Sequence, residues 1–541
     1  MGLFEISAPP KGLELQYKEL FTTEALNFVA ELVLKFESEV EQILRDRQIK
    51  KIQLDKECVL PSFLEETKHI RDSDWRVAPL PERLLCRHVD IGDISPTNQE
   101  LFHKALRSKA SGVQVDFDDG HCPTWNNQII GLYNVQQVVA GKIPDIDIAT
   151  SPLLMLRPRA WNMMESNMMV NGKQVPGALF DFGLLMYHNA ASLHRHKSGP
   201  FFYLSKLENH IEARLWEEIL TFTEKQLKLP RGTAKVCVLI ENILAAFETH
   251  EILYELRDHS LGLNCGVFDY SASIIQKFGK WKGFVLPDRQ KYVSMNEHFL
   301  QQYLALVVQT CHQRACPVTA GMAAGVLPSN NKQKSQEIIE NVLKSKRTEV
   351  VAGVDGFLVY DLGLVEPALQ LLQEPRECVP KLNNQITSSD LLRIPQGGDT
   401  MEGLKHNIAV TILFIYAWFQ GEGHFVYKGN VEDSATAEIS RSQIWQWIRH
   451  QVPLETSTST AAMATTESTP VTIVTVKLVK TLIEAFLLDC HNSDVMYKQD
   501  SRRLEAAARV MENIVTSREF LNFITTYLYE SNIVKYMQKM E

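Results

Sequence analysis

A regular exchange of strand-like and helix-like stretches, starting near Val113 and lasting about 250 residues, constrains this chain more than any other feature. Short, nearly apolar runs occur at 113–118, 153–157, 236–241, 261–266, 283–286, 317–322 and 353–360, with helical spacing between them, as at 245–256. Parallel strands need long crossovers, which helices supply. The pattern therefore predicts an α/β fold, a TIM (β/α)8 barrel.

Before the barrel, residues 14–50 repeat apolar positions three and four apart, with Phe28, Leu32, Val33, Phe36 and Val40 in register. We read residues 1–100 as an N-terminal helical clasp, 101–373 as the barrel and 374–541 as an all-helical C-terminal domain. In the last part, strand signals give way to helical patterns at 400–419, 435–448, 474–487, 501–514 and 518–528. The stretch 455–472 is rich in Ser, Thr and Ala, cannot bury a core and is expected to be a flexible loop.

With 541 residues the chain has ample length for a large core, and its net charge of −9 gives no general attraction to nucleic acid or anionic membranes. No run is apolar enough to span a bilayer. Nine scattered cysteines without metal spacing fit a reducing compartment, and Cys237 and Cys265 read as small strand hydrophobes. The ends of the chain show no targeting signal, so a soluble intracellular protein, cytoplasmic or peroxisomal, is expected. Oligomeric state leaves no mark in the sequence.

Active groups of such barrels sit at the carboxyl ends of strands. Asp116, Asp118 and Asp119 end the first run, Arg157 and Arg159 the second and Glu241 the third, and Asp269 follows the fourth. Glu241 and Asp269 lie 28 residues apart, about one strand-helix-strand unit, and are placed to share a hard cation such as Mg2+. An arginine among them offers a permanent charge for an anionic or enolate oxygen. In the helical half, Asp433 opens a helix, where it can cap, act as a general base, or do both.

Taken in order, the blocks 63–71, Trp75-Arg76-Val77-Ala78-Pro79, Pro123-Thr124-Trp125, Arg157-Pro158-Arg159-Ala160-Trp161, 257–270, Gly321-Met322-Ala323-Ala324 and 432–441 resemble the malate synthase family in its shorter, type-A form. The resemblance implies Mg2+-dependent condensation of acetyl-CoA with glyoxylate and water to malate and CoA. It also implies Glu241 and Asp269 as metal ligands, Arg157 and Asp433 as catalytic groups, and Arg157, Gly266, Val267, Phe268 and Asp269 as substrate-binding residues. Several positions depart from the family pattern: Ala160, Asn162, Val267, Phe268, Leu358, Asp361 and His424, with Asp118 where the family has a glutamate. The shorter Asp118 is expected to reach a metal through water. Two alternatives stay open: a relative with an altered aldehyde or acyl-CoA substrate, and a non-catalytic barrel scaffold.

Overall fold

The computed structural model describes residues 3–57, 59–374, 385–455, 471–493 and 500–539. Most of the expected loop at 455–472 lies outside them.

Eight parallel strands close into a barrel: β1 Val89–Ile94, β2 Gly112–Asp116, β3 Leu153–Arg157, β4 Phe201–Leu204, β5 Lys235–Ile240, β6 Ser260–Cys265, β7 Val318–Ala323 and β8 Gly356–Val359. Neighbours in the chain are neighbours in the barrel, with β8 returning to β1. The two-residue period of a strand sorts side chains. Along β3, Leu154 and Leu156 pack outward under the helices, while Leu153 and Met155 fill the interior with Tyr203, Cys237, Leu239 and Leu261. Continuing that parity turns Arg157 inward at the end of β3 and Glu241 inward just past β5.

Two strands escaped the sequence reading, and one expected strand is absent. In β1, Asp90 and Asp93 interrupt the apolar run, and β4 is only four residues long. The strand therefore begins the barrel before residue 101, inside the segment expected as clasp. The run 283–286, expected as a strand, is a 3-10 turn, Lys282–Phe284, and a loop. Its backbone is bound by the C-terminal domain instead of a neighbouring strand: Leu286 N–H donates to Gln446, and Trp447 Nε1 donates to Leu286 O at 2.9 Å. Residues 245–256 form two short helices, Ile243–Ala246 and Thr249–Glu255. The last expected helix, 518–528, begins later and is replaced by Ile524–Glu530 and Asn532–Gln538.

The N-terminal helix Thr23–Glu57 buries its apolar stripe on the barrel helix Gly177–Arg195, where a side chain at Gly183 would meet Val29 and Leu32 at 3.1 Å. Arg47 secures it through Glu212, at 2.7 and 2.6 Å. In the C-terminal domain, Met401–Phe419, Ser434–His450 and Ser501–Thr516 share a second apolar core. Helix Ser434–His450 also packs against Phe268–Phe278, the helix that follows β6. That contact fixes the domain over the barrel mouth.

Beneath β6, the buried His259 imidazole lies between Glu217 at 2.6 Å and Glu224 at 3.1 Å, which raise its pKa to about 9 against the opposing effect of burial. Its folded pKa exceeds the unfolded value, so this stabilisation is complete at low pH and lost as pH rises through about 9. His259→Gln should lower stability by about 3 kcal/mol at pH 6, with the gap from the native protein closing towards pH 10, as read by urea denaturation.

Candidate active site at the barrel mouth

The mouth is organised around Arg157. Strands β2 and β3 pair with Asp116 opposite Arg157, so the two side chains meet at the same level. Arg157 Nε donates to Asp116 Oδ1 at 2.7 Å and its Nη2 donates to the other oxygen. The remaining edge of the guanidinium lies 3.2 Å from Asp119 and 3.4 Å from Asp93. Asp116 also folds its own loop, accepting from Asp118 N–H at 2.8 Å and Gly120 N–H at 2.7 Å. This tight turn sends Asp118 and Asp119 in different directions.

The second basic group, Lys206, follows β4 with φ of 58°, a left-handed conformation uncommon for a residue with a Cβ. Its ammonium donates to Asp118 at 2.6 Å and Asp119 at 2.7 Å, while its backbone N–H donates to Glu241 at 2.6 Å. One residue thus orients three acids. Glu241 also requires a glycine beside it, because a side chain at Gly266 would meet its Cβ at 2.9 Å.

Asp119, Glu241 and Asp269 are buried and offer oxygens that all lie within 4.8 Å of one another, close to the span of an octahedral oxygen shell, about 4 Å. This trio can hold a metal ion. Burial pushes Glu241 up to about 7 and Asp269 well above the carboxylate range, in both cases against the pull of Lys206. Burial also opposes charge on Asp119, but Lys206 and Arg157 outweigh it and hold that carboxylate below its ordinary value. The mouth carries Asp93, Asp116, Asp118, Asp119, Glu241, Asp269 and Asp433 against Arg157 and Lys206, while Lys346, which also lines the cavity, is paired with Glu349 at 2.8 Å. A further cation fits that imbalance, and three carboxylates are donors suited to a hard one.

Asp433 enters from above as the N-cap of helix Ser434–His450. Its Oδ1 accepts from Thr436 N–H at 3.0 Å, and Thr436 Oγ1 accepts from Asp433 N–H at 3.0 Å. The neighbouring Ser434 hydroxyl donates to Asp119. A cavity of about 410 Å3 joins the parts: Asp93, Asp119, Arg157, Glu241, Asp269 and Asp433 line it with Gly266, Val267 and Phe268, and with Leu239, Met322 and Leu358 as an apolar wall. Of the candidates from the sequence reading, Arg157, Glu241, Gly266, Val267, Phe268, Asp269, Asp433 and Asp119 line one cavity, whereas Asp116 and Asp118 are not in its lining and Arg159 is bound to Asp181 and Glu165.

Asp118 lies beside the trio. Its carboxylate is taken by Lys206, by Ser205 Oγ at 3.0 Å and by Ala160 N–H at 3.2 Å, and it is outside the trio. Asp119 is the acid of this turn that joins Glu241 and Asp269. Lys206 and Asp93 were missed outright. Nothing in a four-residue strand announces Lys206, and Asp93 falls in the segment read as clasp. Of the altered positions, Val267, Phe268 and Leu358 line the cavity, while His424 bonds to Tyr360 OH at 3.0 Å and to Gly120 O at 3.0 Å.

Models of three malate synthase domains match the chain in order: N-terminal at 10–69, TIM barrel at 153–394 and C-terminal at 398–532. The malate synthase of Myxococcus xanthus is 37% identical over 95% of this chain and 94% of its own. The chain belongs to the malate synthase family. A Dictyostelium discoideum family member is 35% identical over 96% of this chain and 97% of its own. Malate synthase A of Escherichia coli is 34% identical over 94% and 95%.

Isothermal titration with magnesium provides a test of the trio. Replacing any of Asp119, Glu241 or Asp269 by its amide should weaken binding by about tenfold or more, whereas Asp118→Asn should weaken it less than any of the three. Binding requires ionised carboxylates, so native affinity should rise as pH increases through about 7, where Glu241 loses its proton.

Proposed function

We infer that this chain is a malate synthase, condensing acetyl-CoA with glyoxylate and water to give malate and CoA. The observation that carries the reading is the meeting of Arg157, Asp433 and the trio Asp119, Glu241 and Asp269 in one cavity of a family member. A scaffold has no use for so many buried charges, which are costly to hold together.

In the reading we favour, Asp433 takes a proton from the acetyl methyl group. Its place at a helix N-terminus, with one oxygen held by Thr436 N–H, leaves the carboxylate fixed towards the cavity. Arg157 stabilises the developing enolate oxygen, its side chain already immobilised by Asp116. The glyoxylate carboxylate is received by main-chain N–H groups where Gly266, Val267 and Phe268 lead into helix Phe268–Phe278, whose start carries no side-chain cap. Glu241 and Asp269, with Asp119, would hold magnesium, whose Lewis acidity would favour attack of the enolate carbon on the aldehyde carbon. Hydrolysis of the malyl thioester then releases CoA. Among the described residues no helix is long and apolar enough to cross a membrane. The three-part division we propose is 1–88, 89–373 and 374–541, because Val89–Ile94 is a strand of the barrel.

The test is thiol release with acetyl-CoA, glyoxylate and magnesium, with pyruvate as a competing acceptor. Glyoxylate-dependent CoA release should be abolished by Asp433→Asn while magnesium binding persists. No release from the native protein would overturn the reading, and faster turnover with pyruvate would favour an altered acceptor.

A further inference from the structure

At the end of β1 the pairing with β2 slips: Ile91 faces Val113 but Ile94 faces Val115, and the intervening Gly92 and Asp93 bulge inward. Bulges beside active sites re-aim side chains. Asp93 adopts φ of 54°, the left-handed region that disfavours a residue with a Cβ, and its backbone N–H is held by Gln114 Oε1 at 3.1 Å. The carboxyl group so delivered is 4% exposed and lines the same cavity as Asp433.

Two carboxyl groups so placed share a proton more readily than they carry two charges. The donors around them decide which one holds it. Asp433 caps a helix and accepts from Thr436 N–H. Asp93 Oδ2 is buried without a donor, and Oδ1 has only Arg157 Nη2 at 3.4 Å, which is already bonded to Asp116. We propose that Asp93 is a positioning residue for the reaction, holding a proton on Oδ2 and donating it as a hydrogen bond to the Asp433 carboxylate. Burial and the charge of Asp433 also push the Asp93 carboxyl well above its ordinary range, against the pull of Arg157. Asp433 faces it from the helix start, Arg157 from β3, Asp116 from β2 and Tyr360 from beyond β8.

The hydrogen bond occupies one side of the Asp433 carboxylate and directs a free lone pair at the acyl methyl group. The bonded proton stays on Asp93 throughout; the proton taken from the substrate goes to Asp433. When Asp93 ionises at alkaline pH, the two carboxylates repel and the alignment is lost.

This inference rests on the malate synthase reading, so native CoA release is measured first; its absence sinks that reading. With the native enzyme active, Asp93→Gly, which also suits the left-handed backbone, should lower kcat by about tenfold or more with KM for both substrates little changed. Asp93→Asn, whose amide still donates, should recover part of that loss, and both variants should lack the alkaline fall in kcat. Independently of turnover, the infrared band of a protonated carboxylic acid present in the native protein at pH 7 should diminish in Asp93→Asn. Native kcat in both variants, an unchanged alkaline limb, an effect confined to KM or magnesium affinity, or an unchanged infrared band would each overturn the inference.

Discussion

The pairing of Arg157 with Asp116 is the interaction on which the barrel mouth depends. It joins two adjacent strands at their carboxyl ends, closes the turn that separates Asp118 from Asp119, and leaves a guanidinium edge facing the cavity. Taking such charges out of water is costly, and only the mutual satisfaction of several partners offsets it. Lys206 repeats the device one strand further round, joining Asp118, Asp119 and Glu241. The two basic groups hold together an acidic cluster that would otherwise repel itself. They do not neutralise it, and the remaining negative charge suits the site to a hard cation.

The supporting fold is built to keep that cluster in place. Inward parity in β3 and β5 carries interior leucine and methionine positions directly into Arg157 and Glu241. The C-terminal helix bearing Asp433 leans on the helix bearing Asp269 and seals the 284–288 loop with Gln443, Gln446 and Trp447. Asp433 and Asp269 are thus fixed to one another through packed helices, although they are far apart in the chain. Rigid support of this kind is what a proton abstraction from carbon needs, because small misplacements of the base are expensive in rate.

How much of this the sequence revealed follows from how each residue is presented. Arg157, Glu241 and Asp269 were legible because each ends or follows an apolar run, where a charge has no packing role. Asp433 was legible only as a choice between cap and base, and in the structure its capping hydrogen bond coexists with a cavity-lining position. Asp118 and Asp119 are adjacent acids, and only the turn around Asp116 decides which one faces Glu241. Strand β1 was hidden because Asp90 and Asp93 point into the barrel, giving it none of the apolar continuity of a buried parallel strand. The false strand at 283–286 shows the converse: an apolar stretch buried by side-chain hydrogen bonds from another domain carries the same local signal as a strand.

The central claim is that the acids gathered by Arg157 and Lys206 form one cation site directly beneath the base. A crystal structure of the protein grown with manganese and glyoxylate, using the anomalous signal of manganese, tests it most directly. The account predicts a single ion bound by Glu241 and Asp269 with Asp119 in its shell, and the Arg157–Asp116 pair unchanged. An ion elsewhere, or one bound through Asp118 with Asp119 turned away, would contradict it.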